Sequence, residues 1–361
     1  MQISLFDNER IKSTDWKWSM ANDYPKETNG LKVFSCFACG GGSTMGYKLA
    51  GCEVLGCNEI DPRMNKVYVE NHNPKYNYLM DIRDFNKLDD LPEELYELDI
   101  LDMSPPCTTF STVGKREESW GAKKKFREGQ VEQTLDDLAF VGVETVAKLR
   151  PKVMIMENVE GLIKGEAWSY VQKIYNQLSG IGYNCKHWLL KGENMGVPQT
   201  RHRVFFVAVR NDLQFSFNNV DMNFNYENIV FDKIKVCGHK ESKGKKYELC
   251  KKAIKTDTLM SDIYERIYNK KSFFSERILW GDKVCPTITG GGSDIWIEDT
   301  GCQINQQEII NATSFPQDYN FLTEKPRYIC GMSVPPIMIK RIVNRLIESG
   351  LFDYKLKEKK Q

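Results

Sequence analysis

Residues 31 to 60 carry an alternation that few folds accommodate. Leu31 to Phe37 (LKVFSCF) is a short apolar, aromatic-rich strand pattern, followed by the loop Ala38-Cys39-Gly40-Gly41-Gly42 and a helix-compatible run from Ser43 to Ala50 that stops at Gly51. Cys52 to Cys57 then reads as a second strand leading into Asn58-Glu59-Ile60-Asp61-Pro62. Strand, glycine loop, helix, strand and acid, in that order, make a nucleotide-binding βαβ pattern. The glycines let the backbone approach a ligand closely, and an acid at the end of the second strand is placed to accept hydrogen bonds from ribose hydroxyls. No Gly-x-x-x-x-Gly-Lys-Ser/Thr occurs, so phosphate cradling is not specified. An adenosine ligand without a pyrophosphate, such as S-adenosylmethionine, fits better than a dinucleotide.

The same alternation continues downstream. Further strand patterns are Tyr76 to Ile82, Leu98 to Met103, Val153 to Glu157, Cys185 to Leu190 and Arg203 to Val209, with helical patterns at Gln130 to Leu149 and Ala167 to Ile181. Strands alternating with helices predict an α/β, Rossmann-like, doubly wound sheet that is mainly parallel. The last two strands, joined by Gly192 to Thr200, fit an antiparallel edge hairpin. After Arg210 the alternation is lost until about residue 305, so 213–305 is expected to form a second, smaller domain. That leaves 1–30 as an N-terminal extension, 31–212 as the main domain and 306–361 as a returning segment. In that last segment Ile339, Ile342, Val343, Leu346 and Ile347 recur at helical spacing, which predicts an amphipathic helix packed back on the sheet.

Composition excludes several classes. The chain has 361 residues, 41% hydrophobic and 27% charged, which suits a soluble globular protein with one substantial core and no membrane span. Eleven scattered cysteines and no basic-then-apolar leader point to a reducing cytoplasm. A net charge of +1 argues against a wholly basic nucleic-acid binder. Two local basic runs remain: Lys115 to Arg127, with six Lys/Arg against two Glu, and Asp232 to Lys255, with nine Lys against three acids. Runs of this kind are most often solvated loops.

Chemistry concentrates at predicted strand ends. Ser104-Pro105-Pro106-Cys107 follows the apolar run Leu98 to Met103, and its prolines end the strand and hold a thiol on a stiff turn, as suits a covalent catalyst. The tetrapeptide also resembles the Ser/Asp/Asn-Pro-Pro-aromatic signature of methyltransferases acting on exocyclic amino groups. Cysteine in place of the aromatic exchanges a stacking face for a nucleophile. Glu157-Asn158-Val159 ends the strand starting at Val153, at the sheet edge where ligands bind. Gln199-Thr200-Arg201-His202-Arg203 starts another strand, and strand geometry would send Gln199, Arg201 and Arg203 to one face.

Taken together, these elements resemble the cytosine-C5 DNA methyltransferase family. The resemblance runs from Val33 to Leu346 in the family's order: Phe37-Ala38-x-Gly-Gly-Gly, Glu59, Asp81-Ile82, Pro105-Pro106-Cys107, Glu157-Asn158-Val159, Gln199-x-Arg201-x-Arg203, Phe315-Pro316 and Gly331-x-Ser333-Val334. It implies S-adenosylmethionine as methyl donor, S-adenosylhomocysteine as product and double-stranded DNA as substrate, with a flipped-out cytosine. The implied roles are Cys107 as nucleophile at C6, Glu157 at N3 and the amino group, Arg203 at O2, and Arg201 orienting Glu157 or a phosphate. Phe37, Ala38, Gly40, Gly41, Gly42, Glu59, Ile60, Asp81, Ile82 and Ser333 would line the cofactor site. The first basic run then becomes a mobile DNA-closing loop, with Ser111, Lys115, Arg116, Lys123, Lys124, Lys125 and, from the later strand, Gln199 as DNA contacts. The second falls within the target-recognition region.

The chain departs from the family at Met332, where Asn is usual, and at the loop with Cys39 and three consecutive glycines. Neither the pairs Cys36/Cys39 and Cys52/Cys57 nor the set Cys237, His239 and Cys250 makes a convincing zinc site, since packing explains the former and the latter lacks a fourth ligand. Gln2-Ile3-Ser4-Leu5-Phe6 resembles the peptide by which bacterial DNA-processing proteins bind the sliding clamp. A cognate restriction enzyme is a further candidate partner, and the chain is expected to act as a monomer. Two alternatives share these motifs: a tRNA cytosine-C5 methyltransferase and a catalytically silent DNA-binding relative.

Overall fold

The computed structural model describes residues 10–106, 137–239, 243–292 and 294–354, together with the backbone of 123–124 and 133–134. The elements in chain order are α1 (Met20–Asp23), β1 (Lys32–Cys36), α2 (Gly42–Leu49), β2 (Glu53–Glu59), α3 (Pro62–His72), β3 (Tyr76–Leu79), α4 (Ile82–Phe85), β4 (Ile100–Met103), β5 (Lys123–Lys124), β6 (Gln133–Thr134), α5 (Leu138–Leu149), β7 (Val153–Val159), α6 (Trp168–Gly180), β8 (Tyr183–Lys191), β9 (Gln199–Thr200) and β10 (His202–Arg210). There follow α7 (Lys245–Cys250), α8 (Met260–Tyr268), β11 (Arg277–Leu279), β12 (Cys285–Pro286), β13 (Ile295–Ile297), β14 (Cys302–Gln303), α9 (Gln306–Ala312), α10 (Pro326–Met332) and α11 (Pro336–Glu348).

Seven strands form the central sheet in the order β3-β2-β1-β4-β7-β10-β8. The first five are mutually parallel, while β10 runs antiparallel to both neighbours, so the sheet is mixed and mainly parallel. Period-two alternation decides which side each residue serves. Val33, Ile155, Phe205 and Val207 face one core together with α2, α3 and α11, whereas Phe34, Met154, Met156, Val204 and Phe206 face the other with α4, α5 and α6. Helices therefore cover both faces, as the parallel strands require, because each would otherwise expose an apolar row. α11 buries Ile337, Met338, Ile339, Ile342, Val343 and Leu346, each contributing about 1.5–3 kcal/mol relative to exposure. It reaches α2 closely because Gly46 lacks a Cβ, which would stand 2.5 Å from the Cβ of Ile339.

Several boundaries differ from the expected ones. β3 stops at Leu79 because Asp81 caps α4, accepting from the Arg83 N–H at 2.8 Å, so Ile82 opens a helix instead of ending a strand. The helix expected from Gln130 begins at Leu138, and Gln133–Thr134 pairs antiparallel with Lys123–Lys124. β8 and β10 do pair antiparallel, but β10 is internal and β8 alone is the edge. The segment 213–305 shares much of the main core through Phe217, Phe231, Ile288, Ile295 and Ile297. A separate small core of Leu249, Cys250, Met260, Ile263, Ile278 and Trp296 underlies the sheet β11-β13-β14 and helices α7 and α8. Among the described residues, no helix is long and apolar enough to cross a membrane. Residues 2–6, the clamp-peptide resemblance, lie outside the described residues.

Candidate active site

Several of the predicted residues lie at the carboxyl edge of the parallel strands. At the end of β1 the chain turns through Phe37 and Cys39 at φ of 57° and 48°, then Gly41 at 81°, before α2 begins. Positive φ at Gly41 is readily adopted only by glycine, and a Cβ there would lie 2.1 Å from His72 Nε2. Gly42 is crowded instead by the returning C-terminal segment: a Cβ would stand 2.4 Å from the Val334 carbonyl oxygen and 2.6 Å from Ser333 Cβ. Thus Ser333 sits against the glycine loop despite its distance in sequence. Tyr319 donates its hydroxyl to the Gly40 carbonyl, and His72 Nε2 lies 3.3 Å from the same oxygen.

Glu59 ends β2 and is buried. One carboxylate oxygen accepts the Cys39 N–H at 2.7 Å and the other the Asp61 N–H at 2.8 Å, which ties the glycine loop to the strand end. Burial pushes its carboxyl upward, and the N–H groups of Asp61 and Cys39 partly offset that. A carboxylate has about four lone-pair sites, so these backbone bonds do not exhaust its capacity to accept from a ligand. Asp81 caps α4 and pairs with Arg83 at 3.3 Å, while Ile82 is buried beside Phe85; Ile60 is half-buried.

Glu157 and Arg203 form the polar centre of the other half. Glu157 Oε1 lies 2.7 Å from Arg203 Nε, with only 13% and 15% of the side chains exposed. Antiparallel pairing sets Phe205 opposite Glu157 and Val159 opposite Arg203, so the two charged side chains meet diagonally on one face. Next along β7, Asn158 donates to the Pro105 carbonyl at 3.3 Å and fastens the Pro-Pro turn to the strand carrying Glu157. Cys107, Ser111, Lys115, Arg116 and Lys125 lie outside the described residues, and Lys123 and Lys124 are described only as backbone.

Two expectations from the Gln199–Arg203 run are corrected. Gln199 is fully buried, accepting the Ile288 N–H at 2.8 Å and donating to the Ala312 carbonyl at 3.4 Å, so it faces the interior and not a duplex. Arg201 does not bond Glu157 or point to solvent. Its guanidinium is buried and donates to the carbonyls of Ile288 and Gly331, both at 3.1 Å. The reason is a long-range pairing: Gln199–Thr200 is a separate short strand paired with Cys285–Pro286, and β10 starts only at His202, so the three side chains do not share one strand face. Burial lowers the Arg201 pKa to about 9, with Arg203 adding to the effect and Glu157 opposing it.

Sequence reasoning missed Asp102. It is buried in β4, accepts from Ser35 at 2.6 Å and Tyr47 at 3.1 Å, and burial pushes its pKa up to about 7. An acid inside an apolar strand is the signal that could have found it. Among the described residues, no group of three or more His, Cys, Asp or Glu is arranged to hold a metal.

Comparison with known proteins identifies relatives in sequence and in fold. The type II methyltransferase M.Bsp6I of Bacillus sp. (strain RFL6) is 26% identical over 341 residues, spanning 89% of this chain and all of that protein. M.Eco47II of Escherichia coli is 31% identical over 215 residues, but the match spans 58% of this chain and 48% of that protein. The crystal structure of a Spodoptera frugiperda DNMT2 variant has the same fold, with a TM-score of 0.58 at 18% identity, covering 88% of this chain and all of that one. A family model, C-5 cytosine-specific DNA methylase, matches residues 31–348. With a match across nearly the whole sheet and its returning helix, the chain belongs to the C-5 cytosine-specific DNA methylase family and is a DNA (cytosine-5-)-methyltransferase.

Proposed function

We propose that this chain methylates C5 of a flipped-out cytosine in a specific duplex sequence, using S-adenosylmethionine and a transient bond to Cys107. The observation that carries this is the Glu157–Arg203 pair at the sheet edge, joined through Asn158 to the turn that leads into Cys107. C5 of cytosine is a weak nucleophile. A Cys107 thiolate adding to C6 would make C5 enamine-like, while Glu157, hydrogen-bonded at N3 and the amino group, would favour the protonated ring that accepts this attack. Arg203 keeps Glu157 aligned and has guanidinium donors to spare for O2. Loss of the C5 proton to water and expulsion of the Cys107 sulfur would restore the aromatic base. A cytosine inside a duplex is out of reach of such a pocket, which is why base flipping belongs to the proposal.

The cofactor fit rests on the cradle that a Cβ at Gly41 or Gly42 would fill and on the remaining acceptor capacity of Glu59. Phe37, Ala38, Ile60, Asp81, Ile82 and Ser333 are the further candidate contacts, of which Ser333 packs against Gly42. S-adenosylmethionine bound there supplies an electrophilic methyl group and leaves as S-adenosylhomocysteine. Likeness to a type II methyltransferase over that protein's full length supports DNA over tRNA as substrate, and supports a role beside a restriction enzyme.

Incubation with duplex DNA containing 5-fluorocytosine and S-adenosylmethionine tests the proposal, because fluorine blocks the final proton loss. A denaturation-resistant protein–DNA complex is expected with the wild type and not with Cys107→Ala. No complex, or one that survives the substitution, overturns the mechanism. Expression in a host lacking cytosine methylation, followed by 5-methylcytosine mapping, would identify the site.

A further inference from the structure

Phe273 is 102% exposed, while no other large apolar side chain among the described residues exceeds 50%. Its position does not come from loose chain. α8 ends at Asn269 in the left-handed region at φ 49°, and the Ser272 N–H donates to Glu265 Oε1 at 3.1 Å. The Phe274 N–H then donates to Ser272 Oγ at 3.3 Å, and the Phe274 ring packs edge-on against Tyr264 with centroids 5.7 Å apart. The residues on both sides of Phe273 are therefore tied down, and the ring between them is presented outward.

The charge beside it is positive. Lys270 and Lys271 are exposed and have no ion pair among the described residues. Three other basic residues of this unit are paired, Lys246 with Glu276, Lys255 with Asp282 and Arg266 with Asp257, while Lys245 lies over the Tyr264 and Phe274 rings and adds to the positive charge beside Phe273. The loop runs into β11, and the next strand, β12, pairs with β9 immediately before Arg201 and Arg203. A preorganised aromatic tip flanked by two uncompensated cations, on a unit fastened beside the catalytic strand, matches a polyanion that offers apolar surface between its phosphates.

We infer that Phe273 enters a groove of the substrate duplex and makes an apolar contact with its bases or sugars, with Lys270 and Lys271 on the flanking phosphates. This rests on the DNA-methylating function above and names a specific contact within it. Water leaves the exposed ring on binding, so its truncation weakens DNA affinity without touching the cofactor site.

The test uses the full chain and a duplex bearing the site found by 5-methylcytosine mapping. Phe273→Ala is expected to raise the DNA Kd and KM on the order of tenfold, as loss of an aromatic–base contact does, with Phe273→Trp restoring most of it. The S-adenosylmethionine KM and the melting temperature stay at wild-type values, since the ring packs on nothing. The double variant Lys270→Ala/Lys271→Ala lowers the slope of log K against log salt by about 2, from about 0.9 per phosphate contact. DNA Kd, KM and salt slope at wild-type values in both variants overturn the inference. A wild-type chain that neither binds nor methylates DNA overturns the function itself, a separate and distinguishable result.

Discussion

Asn158 Nδ2 donates to the Pro105 carbonyl at 3.3 Å, while its side-chain oxygen accepts the Val159 N–H at 2.9 Å, so one buried amide joins β7 to the turn leaving β4. The carboxylate before it on β7 meets Arg203 on the next strand. Two adjacent residues thus tie the Glu157 carboxylate and the turn leaving β4 into one frame.

Glu157→Gln keeps the shape but removes the carboxylate charge that would favour the protonated ring, and is expected to lower kcat by about 10²–10⁴-fold. The DNA KM should change little by comparison, because the amide still bonds Arg203. Single-turnover methylation of a saturating duplex measures this directly; a loss confined to KM would assign Glu157 to binding.

Gln199 and Arg201 should act on stability before chemistry. Gln199→Ala leaves the buried Ile288 N–H and Ala312 carbonyl without their partner and is expected to cost about 1–3 kcal/mol. Urea unfolding reads that cost, while the salt slope of DNA binding stays at the wild-type value. A reduced slope with unchanged stability would restore the DNA-contact role that its burial argues against.

Gly41→Ala forces a side chain into a left-handed residue and against His72. The expected result is a loss of S-adenosylhomocysteine affinity on the order of tenfold or more, seen by calorimetry, with a stability cost of about 1–3 kcal/mol. Wild-type affinity in this variant would show that the loop does not form the cofactor cradle.

Asp102 predicts a pH signature. Its folded pKa, about 7, lies above the usual carboxyl value of 3.8, so the folded state holds the proton more tightly than the unfolded one. This contribution is fully present below about pH 4 and is lost as pH rises to about 7, by up to about 1.4 kcal/mol per unit. Asp102→Asn cannot titrate. Its stability relative to wild type should therefore increase across that window and level off above it, measured by denaturant unfolding at a series of pH values.

A peptide of residues 1–12 is expected to bind a bacterial sliding clamp through Leu5 and Phe6, and calorimetry with the Leu5→Ala/Phe6→Ala peptide as control decides it. Absence of heat with the unmodified peptide removes the clamp from the list of partners.

The parallel strands were legible because their apolar runs and punctuation are local: Leu31 to Phe37, the glycine loop and Glu59 all lie where period and turn chemistry place them. The same holds for Glu157 and Arg203, which end or begin apolar strands. Asp102 was not legible as a buried acid, because nothing in one strand announces that Ser35 and Tyr47 will converge on it from β1 and α2.

By itself, the alternation of strands and helices pointed to the α/β class, and the ordered motifs shared with the family supplied the candidate catalytic set. Tertiary structure alone decided which way the charged residues of 199–203 face. Alternation along one strand would send Gln199, Arg201 and Arg203 to a common side, but pairing with Cys285–Pro286 breaks that strand after Thr200. Gln199 and Arg201 are turned inward to satisfy buried backbone groups of Ile288, Ala312 and Gly331, and Arg203 is left for Glu157. Those partners lie about 90 to 130 residues further along the chain, and only folding brings them within hydrogen-bond reach.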